Sequence, residues 1–235
     1  KALLKKNLFV FKKLRFFFWK IRNQNLLLII KKLKIKNQYN KNKFYLNIGG
    51  FIFLKKNWRV LEYISDTYPL SKHFIDFNIN LFQKRKLPIK DESVNIVYSS
   101  HTFEHILEED VLFNFIEIHR ILKKNGVFRI VVPDMDIVWN ASKRKDVKLL
   151  NYLGKNETET IPRFLLNYFS IPSEKMNDLD KDYDNFDPDE FFKKYQTNKI
   201  PNLKNHDYSQ HVSWFNFKKL KCLLSQSGFE ESKII

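Results

Sequence analysis

The sequence of 235 residues has one cysteine, Cys222, and no long apolar run. A single thiol excludes an intrachain disulfide and a multi-thiolate metal cluster, and it fits a reducing compartment. The longest apolar runs, LLLII at 26–30 and FFFW at 16–19, are far shorter than the roughly 20 residues that a spanning helix needs. The sequence therefore predicts no transmembrane segment. The first residue is Lys1 rather than Met, so we expect the true start, with any signal peptide, to lie upstream.

Acidic residues are absent from the first 61 positions, although the chain carries a formal charge of +16. Of the 42 Lys and Arg residues, 17 precede the first acid, Glu62, so the rest of the chain is close to neutral. Apolar residues recur at steps of three and four from Leu3 to Phe18, which predicts a basic amphipathic helix. Such an arm suits an anionic membrane surface or another polyanion. Two alternatives remain open: the arm packs on the domain that follows, or AT-rich codons supply the lysines.

A polar break at 37–43 separates this arm from a segment in which strands and helices alternate. We predict strands at 44–48, 58–64, 73–76, 93–99 and 127–133, with at most one helical turn between the first two. A helical face from Val111 to Leu122 is predicted to close at Gly126 as a C-cap. This alternation implies an α/β domain with a mainly parallel sheet and right-handed crossovers. The predicted organisation is a basic helical arm and linker at 1–42 and one domain at 43–235.

Polar motifs follow four of these strands: NIGG, YISD, YSSHTFEH and VPDMD. Ligands of open parallel sheets bind beyond the carboxyl ends of the strands, so these motifs predict the binding edge. Residues 140–210 are less regular, with a predicted helix at 160–170 and an acidic stretch. We interpret them as an insertion or lid over the site, and a solvated loop is the alternative. A last helix is predicted around 214–229, and a further strand is predicted to begin at Gly228.

The ordered motifs LNIGG, WRVLEY, LPIKDESVNIVYSSHTFEHI, EIHRILKKNGVFRIVVPD and HVSWFNFKKLKCLLSQSGF cover about residues 44–136 and 206–229. This set resembles the class I S-adenosylmethionine-dependent methyltransferases, specifically the methyltransferase type 11 group. The resemblance implies a Rossmann-like three-layer αβα fold. Family sheets have seven strands, so we expect the C-terminal strands to lie beyond Ile235. The resemblance also implies S-adenosyl-L-methionine as the cofactor, but it does not identify the acceptor.

The resemblance also implies cofactor contacts along the strand ends. Asn47, Gly49 and Gly50 would face the methionine part, and Glu62 would bind both ribose hydroxyls. Asn80 stands where the family has an aspartate facing adenine, and Asp76 is the other candidate. The remaining predicted contacts are Tyr98, Ser99 and Ser100. A simple tight turn at the glycines and an exposed strand-end acid at Glu62 are the structural alternatives.

His101 is the predicted base, because a hydroxyl acceptor gains from a group that removes its proton and histidine does so near neutral pH. Asp134 and His211 are further catalytic candidates. Each histidine also has a structural alternative. His101 could be hydrogen-bonded to the next helix, and His211 could be a buried histidine of the core. Glu104 and His105 are predicted to cap the following helix and brace the loop. The spacing of His101 and His105 resembles a metal motif, but the order differs from H-E-x-x-H, and we predict no metal.

The sequence favours an O-methyltransferase acting on a small molecule or on a surface-glycan precursor for polysaccharide synthesis. Its expected location is cytoplasmic, peripheral to the inner face of the membrane. An RNA methyltransferase is the alternative enzyme, favoured by the basic arm. Against it, strand four ends in YSSH rather than N/D-P-P-Y/F. A non-catalytic binding protein is the third hypothesis, since the family's usual further glycine is Phe51 here.

Overall fold

A computed structural model describes residues 42–50, 53–64, 74–174, 176–197 and 210–235, together with 28, 31, 32, 34–36, 40 and 200. The described strands form one five-stranded parallel sheet in the order β3-β2-β1-β4-β5. They are β1 (Tyr45–Ile48), β2 (Trp58–Glu62), β3 (Phe77–Asn78), β4 (Val94–Ser100) and β5 (Leu122–Val131). The sheet is flanked by helices, which confirms the predicted Rossmann-like α/β fold.

Helices α1 (Glu108–Ile121) and α7 (Phe217–Gln226) cover the sheet. Buried residues of α1, including Val111, Phe115 and Ile118, pack with Leu46 and Val97 in one core. Their spacing of three and four places them on one stripe of the helix. Burial of each such side chain stabilises the fold by about 1.5–3 kcal/mol, so this stripe fixes α1 against the sheet.

Three predicted boundaries are wrong. The third strand lies at Phe77–Asn78 rather than 73–76, because the ladder to β2 pairs Leu61 with Phe77. Helix α1 ends at Ile121, and Asn125 rather than Gly126 takes the left-handed conformation, at φ 63°. β5 begins at Leu122 rather than at 127, so Gly126 lies inside this strand, where the ladder to β4 shifts register.

The strand predicted from Gly228 is also replaced, by a short 3-10 turn at Glu231–Lys233. Gly228 has φ +100° and ends α7 as a left-handed residue after Ser227. The Phe229 N–H then bonds back to the carbonyl of Leu224, 3.1 Å away, which turns the chain out of the helix. At the end of this turn, the N–H groups of Lys233 and Ile234 donate to carbonyls three residues earlier rather than to a neighbouring strand.

The region predicted as an insertion is mostly helical. Beyond α2 (Met135–Lys143) come α3 (Val147–Tyr152), α4 (Ile161–Phe169), α5 (Leu179–Asn185) and α6 (Pro188–Tyr195). These helices and α2 enclose a second core built around Trp139, Phe164, Phe191 and Trp214. The solvated-loop alternative is therefore wrong, since aromatic burial on this scale stabilises a packed subdomain.

Local sequence explains where several of these helices begin. Asp134, Asp146, Asp187 and Asn216 each accept a hydrogen bond from a backbone N–H in the first turn of α2, α3, α6 and α7. Each cap satisfies a donor that the helix itself leaves unpaired, at about 0.5–2 kcal/mol. Proline follows the cap of α6 directly, where it has no N–H to lose.

The predicted amphipathic arm lies mostly outside the described residues, but its last turns are helical at 28, 31, 32 and 34–36. Lys32 is buried, and its Nζ lies 2.9 Å from one carboxylate oxygen of Asp76. Lys36 Nζ lies 2.8 Å from the other oxygen. Burial would raise the pKa of Asp76, but hydrogen bonds from Lys36 and Lys32 outweigh it and lower that pKa. This end of the arm therefore packs on the domain, as one of the two alternatives predicted.

The connection between β1 and β2 is as short as predicted. Its described residues, 53–57, contain a turn and no helix, and Asn57 has φ 65°. The side chain of Asn57 accepts the N–H of Asn40, 2.8 Å away, which ties the linker to the base of the sheet. Phe51 and Ile52 lie outside the described residues.

Candidate active site

Parallel register places the ends of β1, β2 and β4 side by side. Ile48 pairs with Leu61 on one side and with Ser99 on the other. The next residue along each strand is therefore Gly49, Glu62 or Ser100, in one row at the carboxyl edge. This edge is where ligands of open α/β sheets bind, so the predicted cofactor residues lie together there.

The glycines after β1 are required by close packing within the chain. Gly49 has φ +76°, and a Cβ built on it would lie 1.9 Å from Thr102 Oγ1. A Cβ on Gly50 would lie 1.5 Å from Asn47 Nδ2. Thr102 and the buried Asn47 thus fill the space above both glycines. The bare backbone here accommodates protein side chains, as the tight-turn alternative anticipates.

Glu62 ends β2 as a half-buried carboxylate. Burial raises its pKa, and the hydrogen bond from the Tyr63 N–H to Oε1, 3.0 Å long, opposes that rise. A carboxylate held at a strand end in partly apolar surroundings gains from additional hydrogen-bond donors. Ribose hydroxyls are donors of the right kind, so Glu62 fits the predicted role.

The two candidates for the adenine contact differ in position. Asp76 precedes β3, accepts the N–H of Val60 and pairs with two lysines, so it lies in a structural ion pair away from the carboxyl edge. Asn80 lies two residues beyond β3 and caps the 3-10 turn Leu81–Gln83 by accepting the Phe82 N–H at 3.0 Å. Its cap leaves the amide NH2 group as the donor for a ligand.

A cleft of about 380 Å³ opens beside this turn. Its walls come from the residues after β3 and from the start of α1, among them Phe82, Leu107 and Asp110. Burial raises the pKa of Asp110 to about 6, and the charge of Lys84 opposes that rise. The volume lies within the range of small-molecule pockets, which makes the cleft a candidate site for an aromatic base near Asn80.

The three polar residues that end β4 face different surroundings. Tyr98 is half-buried, with its ring 6.4 Å from that of Trp58. Ser99 points to the opposite face, where it is buried and its Oγ has no hydrogen-bond partner among the described residues. The carbonyl of Ser100 accepts the hydroxyl of Thr102 at 3.3 Å. Main-chain groups at this strand end therefore stabilise the loop after it.

His101 is the first residue past β4 and holds a left-handed backbone conformation, at φ 51°. A non-glycine residue there is strained, and such strain concentrates at functional sites. Its Nδ1 lies 3.1 Å from Oε1 of Glu104, while 66% of its side chain is exposed. A carboxylate only accepts, so Nδ1 carries the proton and Nε2 is left as a base toward solvent.

Glu104 is the centre of a cluster that joins two distant parts of the chain. It is 1% exposed, and burial raises its pKa while the neighbouring histidines oppose the rise. His105 follows it, and the His105 ring lies 4.9 Å from the ring of His211. Burial, with the charge of His105, lowers the pKa of His211 to about 4. His211 therefore reaches the loop after β4.

Backbone contacts hold this cluster in place. The Glu104 carbonyl accepts the N–H groups of Val212 and Ser213 at 2.7 and 3.1 Å. The Ser213 hydroxyl donates to the carbonyl of Ile106 at 2.6 Å. Glu104 and His105 thus brace the loop, as predicted. They do not cap α1: its N-cap is Leu107, which cannot provide a side-chain acceptor.

Asp134 has a structural position at the start of α2. Its carboxylate accepts the Asp136 N–H at 2.9 Å as the N-cap. The N–H of Met135, the residue directly after Asp134, donates to the carbonyl of Phe215. This capping bond accounts for an acid at that position without any catalytic role. Sequence reasoning missed the cap, although an aspartate before a helical stretch is its ordinary signal.

Comparison with known proteins gives one family match and one curated relative to set beside this site. Residues 59–130 match the family model for the methyltransferase domain. One curated relative is the RecBCD enzyme subunit RecB of Borreliella burgdorferi, 28% identical over 216 residues; the match spans 86% of this chain and 18% of that protein.

Two solved structures resemble the chain at low similarity. A Haloferax volcanii methyltransferase in complex with the Trm112 activator is 17% identical, with TM-score 0.32, over 55% of this chain and 65% of that one. PKMT2 of Rickettsia typhi with AdoHcy is 13% identical, with TM-score 0.38, over 80% of this chain and 39% of that one.

The matched segment runs from β2 to β5 and includes Glu62, the end of β4 and His101. This segment is similar to the methyltransferase domain, and the parallel strand order agrees with the fold expected for it. S-adenosylmethionine is the cofactor of class I methyltransferases. Among the described residues, no helix combines the length and the apolar character that crossing a membrane requires.

Proposed function

We propose that the protein is an S-adenosylmethionine-dependent methyltransferase that methylates a hydroxyl group of a small molecule or surface-glycan precursor. The observation that carries the proposal is the pairing of His101 with Glu104 directly after β4. That pairing leaves the second ring nitrogen of His101 as an exposed base. His101 lies at the carboxyl edge of the sheet, where Gly49, Glu62 and Ser100 form a row.

The residues at this edge fit the cofactor in part. Glu62 suits the ribose hydroxyls, and Asn80 with the cleft beside it suits adenine. Asn47, Gly49 and Gly50 would contact the methionine part through main-chain atoms, since Thr102 and Asn47 occupy the space beside the glycines. Tyr98, Ser99 and Ser100 would contribute in the same way from β4.

When bound, S-adenosylmethionine supplies a methyl group whose bond to sulfur breaks as a bond to the acceptor oxygen forms. His101 Nε2 accepts the hydroxyl proton of the acceptor during this transfer. Glu104 acts as a positioning residue, because its bond to Nδ1 fixes the ring orientation and stabilises the imidazolium that results. His211, on the far side of Glu104, supports the same loop, and Asp134 orients the segment that enters α2.

The basic arm and the helices within 140–210 support a lipid-linked sugar as the acceptor. We propose that residues 1–42 form a basic arm whose first part contacts an anionic membrane while its end packs on the domain, which places the enzyme at the inner face of the membrane. Residues 43–235 form the methyltransferase domain, and the helices within 140–210 form a lid that selects the acceptor. A lipid-linked sugar combines a hydroxyl acceptor with an anionic lipid surface, so it suits both features.

An RNA methyltransferase is the second candidate, because the basic arm would also bind phosphates. The two acceptors separate in a transfer assay, since an RNA methyltransferase would label RNA without lipid, whereas the proposed enzyme would label a lipid-linked sugar.

Isothermal titration with S-adenosylhomocysteine tests the cofactor half of the proposal. We expect one site per chain, followed by methyl transfer to hydroxyl acceptors in a radiolabel assay. Absence of any binding by a folded full chain would overturn the enzyme proposal in favour of a non-catalytic binding protein. Transfer to RNA but not to sugars would overturn the acceptor.

A further inference from the structure

We propose that Glu104, His105 and His211 bind a divalent first-row transition-metal ion. The argument is independent of the methyltransferase activity, because it rests on the arrangement of three side chains and on their hydrogen bonds. Two imidazole nitrogens and one carboxylate form a donor set that suits Zn²⁺, with positions left open for water or substrate.

The three donors are already close together. One ligand atom from each residue lies within 4.8 Å of the others. His105 Nε2 is 3.9 Å from Oε1 of Glu104. Bonds of about 2.0–2.2 Å to a tetrahedral zinc ion place donors roughly 3.3–3.5 Å apart. Binding therefore requires the donors to approach by about 1 Å, a movement within the reach of side-chain rotation.

Hydrogen bonds set both histidines in the form that binds metal. His105 Nδ1 faces the carbonyl of Gln210 at 3.0 Å, and His211 Nδ1 faces the carbonyl of Tyr168 at 2.6 Å. A carbonyl only accepts, so each Nδ1 carries the proton and each Nε2 keeps a free lone pair. A backbone carbonyl on the second nitrogen is the usual support of a metal-binding histidine.

Glu104 supplies the second, independent observation. Its side chain is 98% buried, and Oε2 has no hydrogen-bond partner among the described residues. The bond from His101 accounts for Oε1 only. A buried carboxylate oxygen without a donor has lost its hydration with nothing in return, and a cation at this point would compensate it.

The backbone also keeps the donors together without metal. The Glu104 carbonyl accepts hydrogen bonds from the N–H groups of Val212 and Ser213, and the Ser213 hydroxyl donates to the carbonyl of Ile106. These bonds clamp the segment that carries His211 onto the loop that carries Glu104 and His105. The cluster is thus preformed, which lowers the entropic cost of binding an ion.

Zinc binding to the full chain tests the proposal. The chain is stripped with chelator, loaded with ZnCl2 and desalted, and its metal content is measured by mass spectrometry. We expect about one Zn²⁺ per chain and a visible absorption band when Co²⁺ replaces it. His105→Gln, His211→Gln and Glu104→Gln should each weaken binding by at least about tenfold.

Matched controls separate this site from chance binding. His119→Gln changes a histidine that packs on Phe229 outside the cluster, and Cys222→Ser removes the exposed thiol. Both should bind Zn²⁺ as the unmodified chain does. Unchanged metal content in folded His211→Gln, or no metal in the unmodified chain, would overturn the proposal. Cofactor titration is a separate readout, so failure here leaves the proposed activity unaffected.

Discussion

His101 Nδ1 lies 3.1 Å from Glu104 Oε1, so a strained histidine at a strand end is held by an almost fully buried carboxylate three residues later. The bond orients the ring and leaves Nε2 in solvent. The same carboxylate borders His105 and His211. One glutamate thereby connects the proposed base with the proposed metal site.

We expect His101→Ala to lower methyl transfer by about 10²–10⁴-fold, because the acceptor hydroxyl loses its base. The affinity for S-adenosylhomocysteine should remain nearly unchanged, since the ring is not a predicted cofactor contact. Turnover and titration on the same preparation check both statements. Full turnover in the variant would show that the histidine is structural.

Glu62→Ala should weaken S-adenosylhomocysteine binding by about 1–3 kcal/mol, because the ribose hydroxyls lose their acceptor. Calorimetric titration measures the difference. Glu230→Ala, which removes an exposed carboxylate near the C-terminus, is the matched control and should bind normally. Equal affinities for Glu62→Ala and its control would refute the ribose assignment.

Gly50→Ala should destabilise the fold by about 1–3 kcal/mol, since the new Cβ would overlap the side chain of Asn47. The double variant Asn47→Ala with Gly50→Ala should recover part of that loss, which denaturant unfolding measures as a coupling energy. Gly154→Ala is the reference: nothing lies within 4 Å of its Cβ, and it costs only the strain of φ +97°, about 1 kcal/mol. Strict additivity would contradict the packing explanation.

The raised pKa of Asp110 predicts that the free energy of unfolding depends on pH. Its pKa is raised by burial from 3.8 to about 6 in the folded chain, so folding disfavours the charged form. The unmodified chain should therefore lose stability relative to Asp110→Asn as pH rises from about 4 to about 6, with no further change above. The expected difference is about 1–3 kcal/mol. Urea unfolding across this range measures it, and Glu109→Gln, an exposed acid in the same turn, should lack the effect.

The basic arm should bind vesicles that contain anionic lipid and release them as salt rises, because the attraction is screened within about 8–10 Å. Substituting Lys12, Lys13 and Arg15 by Ala should weaken sedimentation with these vesicles. Replacing the exposed Lys124, Lys145 and Lys148 removes the same charge elsewhere and should not. Equal partition into neutral and anionic vesicles would count against the membrane proposal.

The sequence by itself determined the order of strands and helices from β1 to α1 and the polar edge that holds Gly49, Glu62 and His101. These features depend on near neighbours: alternation along strands, a spacing of three and four along helices, and polar residues where strands end. Boundaries failed for two reasons: pairing with β4 drew Gly126 into β5, and local hydrogen bonds at the end of α7 turned the chain after Gly228.

Only the tertiary structure decided which side chains meet. His105 and the Gln210 carbonyl are 105 positions apart, and no local pattern in the sequence specifies that contact. The packing of Thr102 over Gly49 and the aromatic core of the insertion were decided in the same way. Long-range packing depends on the summed shape of many side chains, whereas periodicity records only the surroundings of each residue along its own strand or helix.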